Sequence, residues 1–272
     1  MSSGATAAAA PHGGAEPAPD SAASAAPAAS PPALAPARDA ELDEALVSLC
    51  AHWYLPAGGA PVDRLGKVAA LTGADVLEIW TTLWFAKNEL TAPLDEKLRS
   101  TYGRLYDSHF LARAIASAEA PLPEPPDHLS AHGQLLWLVG LVVLCDQVSR
   151  NVFRGSARAY ATDGLARRLC EAHLRARFDS LPPMVGATVA LVYIHSEDPA
   201  DWRAPDVVGG LIECLKPTLG KICPHVFEVS LTGIAQNHRD SMQRFGRVAQ
   251  RNQFLGRKST EAELAFLAAM GL

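Results

Sequence analysis

From Glu41 onward the apolar residues return three and four positions apart, the spacing that lines one face of an α-helix. Ala45, Leu46, Leu49, His52 and Trp53 form one such stripe, and Val76, Leu77, Ile79, Trp80, Leu83 and Trp84 form another. Pro56, Gly58 and Gly59 separate them with residues that favour a turn. The same periodicity predicts helices over roughly 96–119, 133–147, 156–176, 183–196, 226–245 and 260–270. Thr260 with Glu263 three residues on fits a capping box, and Pro183 fits the first turn of its helix. Segments of strict alternation, the mark of a strand, are few.

Successive helices on short links predict an all-α fold of antiparallel helix pairs, stacked as a bundle or short solenoid. No repeat of fixed period is visible in the sequence. Two stretches interrupt the pattern. Residues 120–126 are rich in Pro and Glu and read as a linker, and 199–224 read as a long connection with one helix at about 207–215. The longest apolar run, Leu135 to Cys145, is well short of the roughly 20 residues of a membrane span and predicts a buried helix.

Residues 1–38 are almost entirely Ala, Pro, Ser and Gly, too poor in large apolar side chains to offset chain entropy by burial. They are expected to be a disordered tail, followed by a single all-α domain over 39–272. Pro, Gly, Glu16 and Asp20 break any secretory signal pattern in that tail, and its first arginine comes only at Arg38. The expected location is cytoplasmic, with organelle import as the alternative.

A length of 272 residues with 49% hydrophobic content allows a full core. A net charge of -5 gives no global basic field, which argues against nucleic acid as the main partner. The five cysteines are widely spaced without a C-x-x-C pair, so neither a disulfide framework nor a zinc ribbon is indicated. Phosphate-loop, dinucleotide, nucleophile-elbow and kinase signatures are absent from the sequence. Trp53, Trp80, Trp84 and Trp137 lie within apolar helical patterns and read as core, whereas Trp202 falls in the long connection.

The chemistry-bearing residues gather in three blocks: 146–155, 195–198 and 237–252. In the first, Asp146 and Arg150 are four apart and can pair on one helix face, with Asn151 and Arg154 at the helix exit. The pair either terminates the helix or belongs to an anion site, since arginines bind carboxylates and phosphates bidentately. In the third, a helix running past Phe245 would align Asp240, Arg244, Arg247 and Arg251 in one stripe. A stop at Gly246 would instead make the following residues, through Arg257, an irregular basic loop. In the second, His195 and Asp198 are three apart and could pair for acid–base work.

These blocks carry a resemblance. Trp53-Tyr54, Trp84-Phe85, Asp146-Gln147 with Arg150-Asn151, Arg154-Gly155-Ser156-Ala157 and His195-Ser196-Glu197-Asp198 follow one another in an ordered series. His238-Arg239, Arg244-Phe245-Gly246-Arg247, Arg251-Asn252 and Leu255-Gly256-Arg257-Lys258-Ser259-Thr260 with Glu263 continue it. In order and spacing this resembles the domain-of-unknown-function 924 family from about Leu42 to the C-terminus. The resemblance implies an all-α fold similar to tetratricopeptide-repeat proteins, and it implies no substrate. The chain departs from the family pattern at Val148-Ser149, where the family has Phe-Pro, and at Val248-Ala249-Gln250, where it has Phe-Pro-His. Gln250 cannot transfer protons in place of that histidine. The connection 199–224 also looks longer than the family needs.

The residues point to His195, Glu197, His238 and Asp146 as candidate catalytic groups, and to Arg150, Asn151, Arg154, Arg244, Arg247, Arg251, Asn252 and Arg257 as candidate ligand-binding groups. The expected function is binding, with transformation left open, of a small anionic metabolite bearing phosphate or carboxylate. The alternative is a tetratricopeptide-like adaptor that clamps an acidic peptide or a C-terminal carboxylate. No cofactor is expected, although His195, His238 and nearby carboxylates would suit a divalent metal as a second reading. No membrane partner is expected, and oligomeric state is left open.

Overall fold

Two helices without a polar face organise the core of the computed structural model, which describes residues 40–54, 68–117, 119–203 and 206–271. In chain order the helices are α1 (Ala40–Tyr54), α2 (Gly73–Ile79), α3 (Thr91–Tyr102), α4 (His109–Ala116), α5 (Ala131–Val143) and α6 (Ser149–Val152). They continue with α7 (Asp163–Leu169), α8 (Pro183–Ile194), α9 (Val207–Leu215), α10 (Leu219–Ile222), α11 (Thr232–Phe245) and α12 (Glu261–Ala269). Among the described residues there is no strand, so the fold is all-α.

Every residue from Met184 to Ile194 in α8 is buried, and so is every residue from Leu136 to Val143 in α5. A helix that is apolar all round can only be satisfied by neighbours on every side. Accordingly α1 lies along α5, while α9, α11 and α7 pack on α8. Gly140 makes the α1–α5 approach possible, because a Cβ built there would sit 2.0 Å from the Leu46 carbonyl oxygen. The Tyr54 hydroxyl, 2.6 Å from Thr188 Oγ1, ties α1 to α8 inside the core.

The helical stretch Ala131–Val152 spans 22 residues and is long and apolar enough to cross a membrane by length and composition. Its most apolar stretch is 89% buried inside the protein, the environment of a core helix.

Several elements depart from the sequence expectation. The helix expected over 96–119 is two helices, α3 and α4, separated by a 3₁₀ turn at Gly103–Asp107 and by Ser108. Ser108 takes an extended backbone and caps the Leu111 N–H at 3.4 Å, a local bond that competes with continuing the helix. The helix expected over 156–176 is a 3₁₀ turn at Ala157–Tyr160, then α7, then a wider π turn at Cys170–Leu174. π turns also extend α2 at Trp80–Trp84, carry α5 into α6 at Leu144–Val148 and precede α11 at His225–Leu231. The capping box at Thr260 is present, and α11 stops at Gly246 with φ 67°.

The long connection after α8 holds a 3₁₀ turn at Pro199–Asp201 followed by α9 and α10. Trp202 anchors it, buried and donating from Nε1 to the Ser196 carbonyl at 2.9 Å, while Arg239 lies 5.7 Å from its ring. The disordered tail expected over 1–38 and the turn at Pro56 to Gly59 lie outside the described residues.

Gly140→Ala should destabilise the protein by about 1–3 kcal/mol, because the new methyl must push α1 away from α5. Gly164→Ala, which meets nothing within 4 Å, should leave stability unchanged or slightly higher. Urea denaturation of the two variants checks the contrast.

Candidate functional site

The π turn at Leu144–Val148 widens the helix and releases carbonyls from the regular ladder, a local geometry often found where helices carry function. Side chains satisfy the released groups. Tyr106 Oη donates to the Leu144 carbonyl at 2.5 Å, and Ser149 Oγ donates to that of Cys145 at 2.9 Å. Arg150 Nη1 donates to the Asp146 carbonyl. The turn thereby fixes Asp146 at full burial where the apolar run of α5 ends.

A buried carboxylate must be matched by donors and positive charge. Asp146 accepts from Gln147 Nε2, sits 3.3 Å from Arg150 Nη1, and faces His195 Nδ1 at 2.9 and 3.1 Å. Burial works against its ionised form, but Arg150 and His195 together hold its carboxyl well below the usual carboxylate range. Because a carboxylate only accepts, His195 carries its proton on Nδ1 and leaves Nε2 as a lone-pair acceptor. Burial, with the charge of Arg150 added, pushes the His195 imidazole below its usual value, so the ring is neutral at pH 7. His195 is the residue that closes α8, and its backbone N–H still bonds to the Leu191 carbonyl at 2.8 Å.

His238, on α11, stands beside it with ring centroids 5.7 Å apart. Its Nδ1 donates to the Ile234 carbonyl at 3.0 Å, so its Nε2 is also an acceptor. Burial and the nearby His195 and Arg251 lower this imidazole to about 3.

Asp163, in the first turn of α7, binds the arginines into one cluster. It receives Arg150 Nη1 and Nη2 at 3.0 Å each and Arg251 Nη1 at 3.1 Å. Burial pushes its carboxyl up against the opposing pull of the two guanidinium groups. Arg251, 6% exposed, also donates from Nη2 to the His195 carbonyl at 2.8 Å. Both arginines lie over Tyr160, at 4.9 Å for Arg251 and 5.7 Å for Arg150.

These groups surround a cavity of about 450 Å³. Its wall includes Arg150, Arg154, Tyr160, His195, His238, Gln250, Arg251 and Phe254. Among the described residues neither His195 Nε2 nor His238 Nε2 has a protein partner, which leaves two neutral imidazole acceptors for whatever occupies the space. The arrangement has the parts for proton abstraction: a base, a carboxylate that orients it, and cationic groups beside the place where negative charge would develop.

Residues 75–271 match the family described as bacterial protein of unknown function (DUF924). The chain belongs to the DUF924 family. It is also similar to the solved structure of a protein of unknown function, ATU0120 from Agrobacterium tumefaciens, at 25% sequence identity and a TM-score of 0.48. That similarity covers 74% of this chain and 97% of the other. A comparison with curated proteins yields no match.

In this DUF924 protein the fold gathers six of the twelve candidates singled out from sequence. Arg150, Arg154, His195, His238 and Arg251 line the cavity, and Asp146 lies directly behind His195. The other six are engaged elsewhere. Glu197 pairs with Arg257 at 2.9 and 3.0 Å and accepts the Val248 N–H at 2.7 Å, stapling the chain after α8 to the loop after α11. Arg247 forms a two-pronged pair with Glu263 at 2.6 and 2.8 Å. Asn252 donates to Ser259 Oγ and Glu263, and Asn151 donates to Asp95 at 2.9 Å. Arg244 is exposed and lies over Phe266 at 5.5 Å.

The pairing of His195 with Asp198 does not occur, because α8 ends at Ile194 and the helical i, i+3 register ends with it. Asp198 instead caps the next turn through the Ala200 N–H at 2.9 Å. The metal alternative has no supporting geometry, since among the described residues no three His, Cys, Asp or Glu side chains converge as a metal site. Cys145 is fully buried, and burial with nearby Asp146 and Asp163 pushes its thiol far up, away from reactivity. Sequence reasoning missed Asp163, Tyr160, Asp95 and Phe254. Asp163 joins α6 to the segment after α11 through space, and no local pattern marks it.

Asp163→Asn should destabilise the fold by about 3 kcal/mol or more, since it leaves Arg150 and Arg251 without their shared buried counter-charge. Chemical denaturation measures this. Both imidazoles are held neutral in the fold, so their contribution to stability is complete above the unfolded histidine value near 6.5 and is lost as pH falls toward the folded one. For His238 that window runs from about 6.5 down to about 3. Melting temperature should therefore drop on acidification, and His238→Gln should make the fall shallower, by up to about 1.4 kcal/mol per pH unit.

Proposed function

We propose that this protein binds a small carboxylate- or phosphate-bearing metabolite in the cavity and that His195 acts on it as a general base. The observation that carries the reading is His195 itself. Its Nδ1–H is held by a buried carboxylate, while its ring lines the cavity and its Nε2 has no protein partner among the described residues. In the step this supports, a ligand O–H or activated C–H gives its proton to Nε2. The resulting imidazolium is then stabilised by Asp146, and Arg251 and Arg150 stand beside the negative charge left on the ligand.

The volume favours this reading over a peptide clamp, because small-molecule sites run roughly 300–1,000 Å³, and this cavity is about 450 Å³. His195 and Arg251 are buried at its wall, which supports an occupant small enough to enter the cavity.

A thermal-shift screen against carboxylated and phosphorylated metabolites is the direct test, since a ligand selective for the folded state raises the melting temperature. The expected outcome is a ligand that still binds His195→Asn but is turned over at least about 100-fold more slowly by it. Asp146→Asn, which frees the imidazole from its orienting carboxylate, should slow turnover while leaving binding largely intact. No shift across the panel at millimolar ligand would overturn the reading.

A further inference from the structure

The charges around the cavity are closely balanced. Arg150 and Arg251 share Asp163, and Arg154 is held by Asp95 at 2.5 and 2.9 Å. Asp146 backs His195. The guanidinium groups at the wall therefore face as many carboxylates, and no surplus positive charge remains to neutralise a di- or triphosphate. Among the described residues each arginine retains a nitrogen without a protein acceptor: Nε of Arg150, Nε of Arg251 and Nη1 of Arg154. One oxyanion can be accommodated there by hydrogen bonds from partly engaged donors.

The opposite requirement holds at the imidazoles. Two Nε2 lone pairs, on rings 5.7 Å apart and tilted by 58°, demand hydrogen donors from the occupant, because two acceptors cannot satisfy each other. An ammonium group would supply protons, but a charged group would have to shed its water beside rings that burial already holds neutral. Hydroxyl groups donate without that penalty. The remaining wall, Tyr160 with Phe254 at a ring separation of 6.2 Å and Leu267, offers apolar contact for a carbon skeleton.

We infer that the occupant is a monoanionic hydroxycarboxylate, with its carboxylate on the guanidinium side and hydroxyls donating to His195 Nε2 and His238 Nε2. This rests on the cavity being a small-anion site and adds which anion it selects: one negative charge, hydroxylated, and neither a polyphosphate nor an amino acid.

Isothermal titration of the full chain with paired probes tests it: glycerate, threonate and gluconate, each against its deoxy counterpart propionate, butyrate or hexanoate, together with 6-aminohexanoate and ATP. The expected result is that at least one hydroxycarboxylate binds about tenfold or more tighter than its deoxy partner. His238→Phe should abolish that advantage, bringing the hydroxycarboxylate to the affinity of its deoxy partner for the same variant. His238→Gln, which keeps an acceptor, should retain part of it, and it serves as the readout if the Phe variant does not fold. Deoxy or amino acids that bind as tightly as every hydroxycarboxylate would overturn the hydroxyl argument while leaving an anion site. Tighter binding of ATP would overturn the charge argument. If none of the probes binds at millimolar concentration, both this inference and the small-anion site fall.

Discussion

The fully buried carboxylate of Asp146 is the constraint around which the centre of this protein is arranged. Ionised in an apolar helix it would be strongly disfavoured, so the surrounding structure must bring charge and hydrogen-bond donors to it. Arg150 comes from the next turn of its own helical run, Gln147 from the adjacent position and His195 from the end of α8. Meeting that demand also fixes the His195 tautomer, because the carboxylate accepts from Nδ1 and leaves Nε2 as the ring's acceptor. The π turn serves the same end, since its released carbonyls draw in Tyr106, Ser149 and Arg150 and lock the turn around the charge.

From Asp146 the network spreads outward through shared partners. Arg150 reaches Asp163, Asp163 holds Arg251, and Arg251 returns to the His195 carbonyl. The loop of contacts ties α6, α7, the end of α8 and the segment after α11 into one unit. Buried ion pairs of this kind add little net stability compared with an apolar core, yet removing one partner strands the other. Their role here is geometric, since they place two guanidinium groups against Tyr160 and beside two neutral imidazoles.

Much of the arginine-rich signal along the chain has a structural purpose. Arg247 with Glu263 and Arg257 with Glu197 fasten the C-terminal segment to the core, and Asn151 with Arg154 fastens α6 and the chain just after it to α3 through Asp95. Residues of the same type, a few positions apart, fall into two groups: cavity wall and scaffold. Composition does not separate them, because an arginine needs a carboxylate partner in either setting, and that partner is often distant in sequence.

The all-α character, the buried helices at 133–147 and 183–196, the helix at 207–215 and the capping box at Thr260 were legible in the sequence, because periodicity and capping act over a few neighbouring residues. The block containing Asp146 and Arg150 was likewise legible as an i, i+4 pair. The π turns were not, since a one-residue widening is marked by no residue type or spacing along the chain. Nor were Asp163, the meeting of His195 with Asp146 and His238, or the diversion of Arg247 and Arg257 to carboxylates. Those were decided by tertiary structure alone, because each joins residues from separate elements, and only packing of the helices sets which distant charges meet.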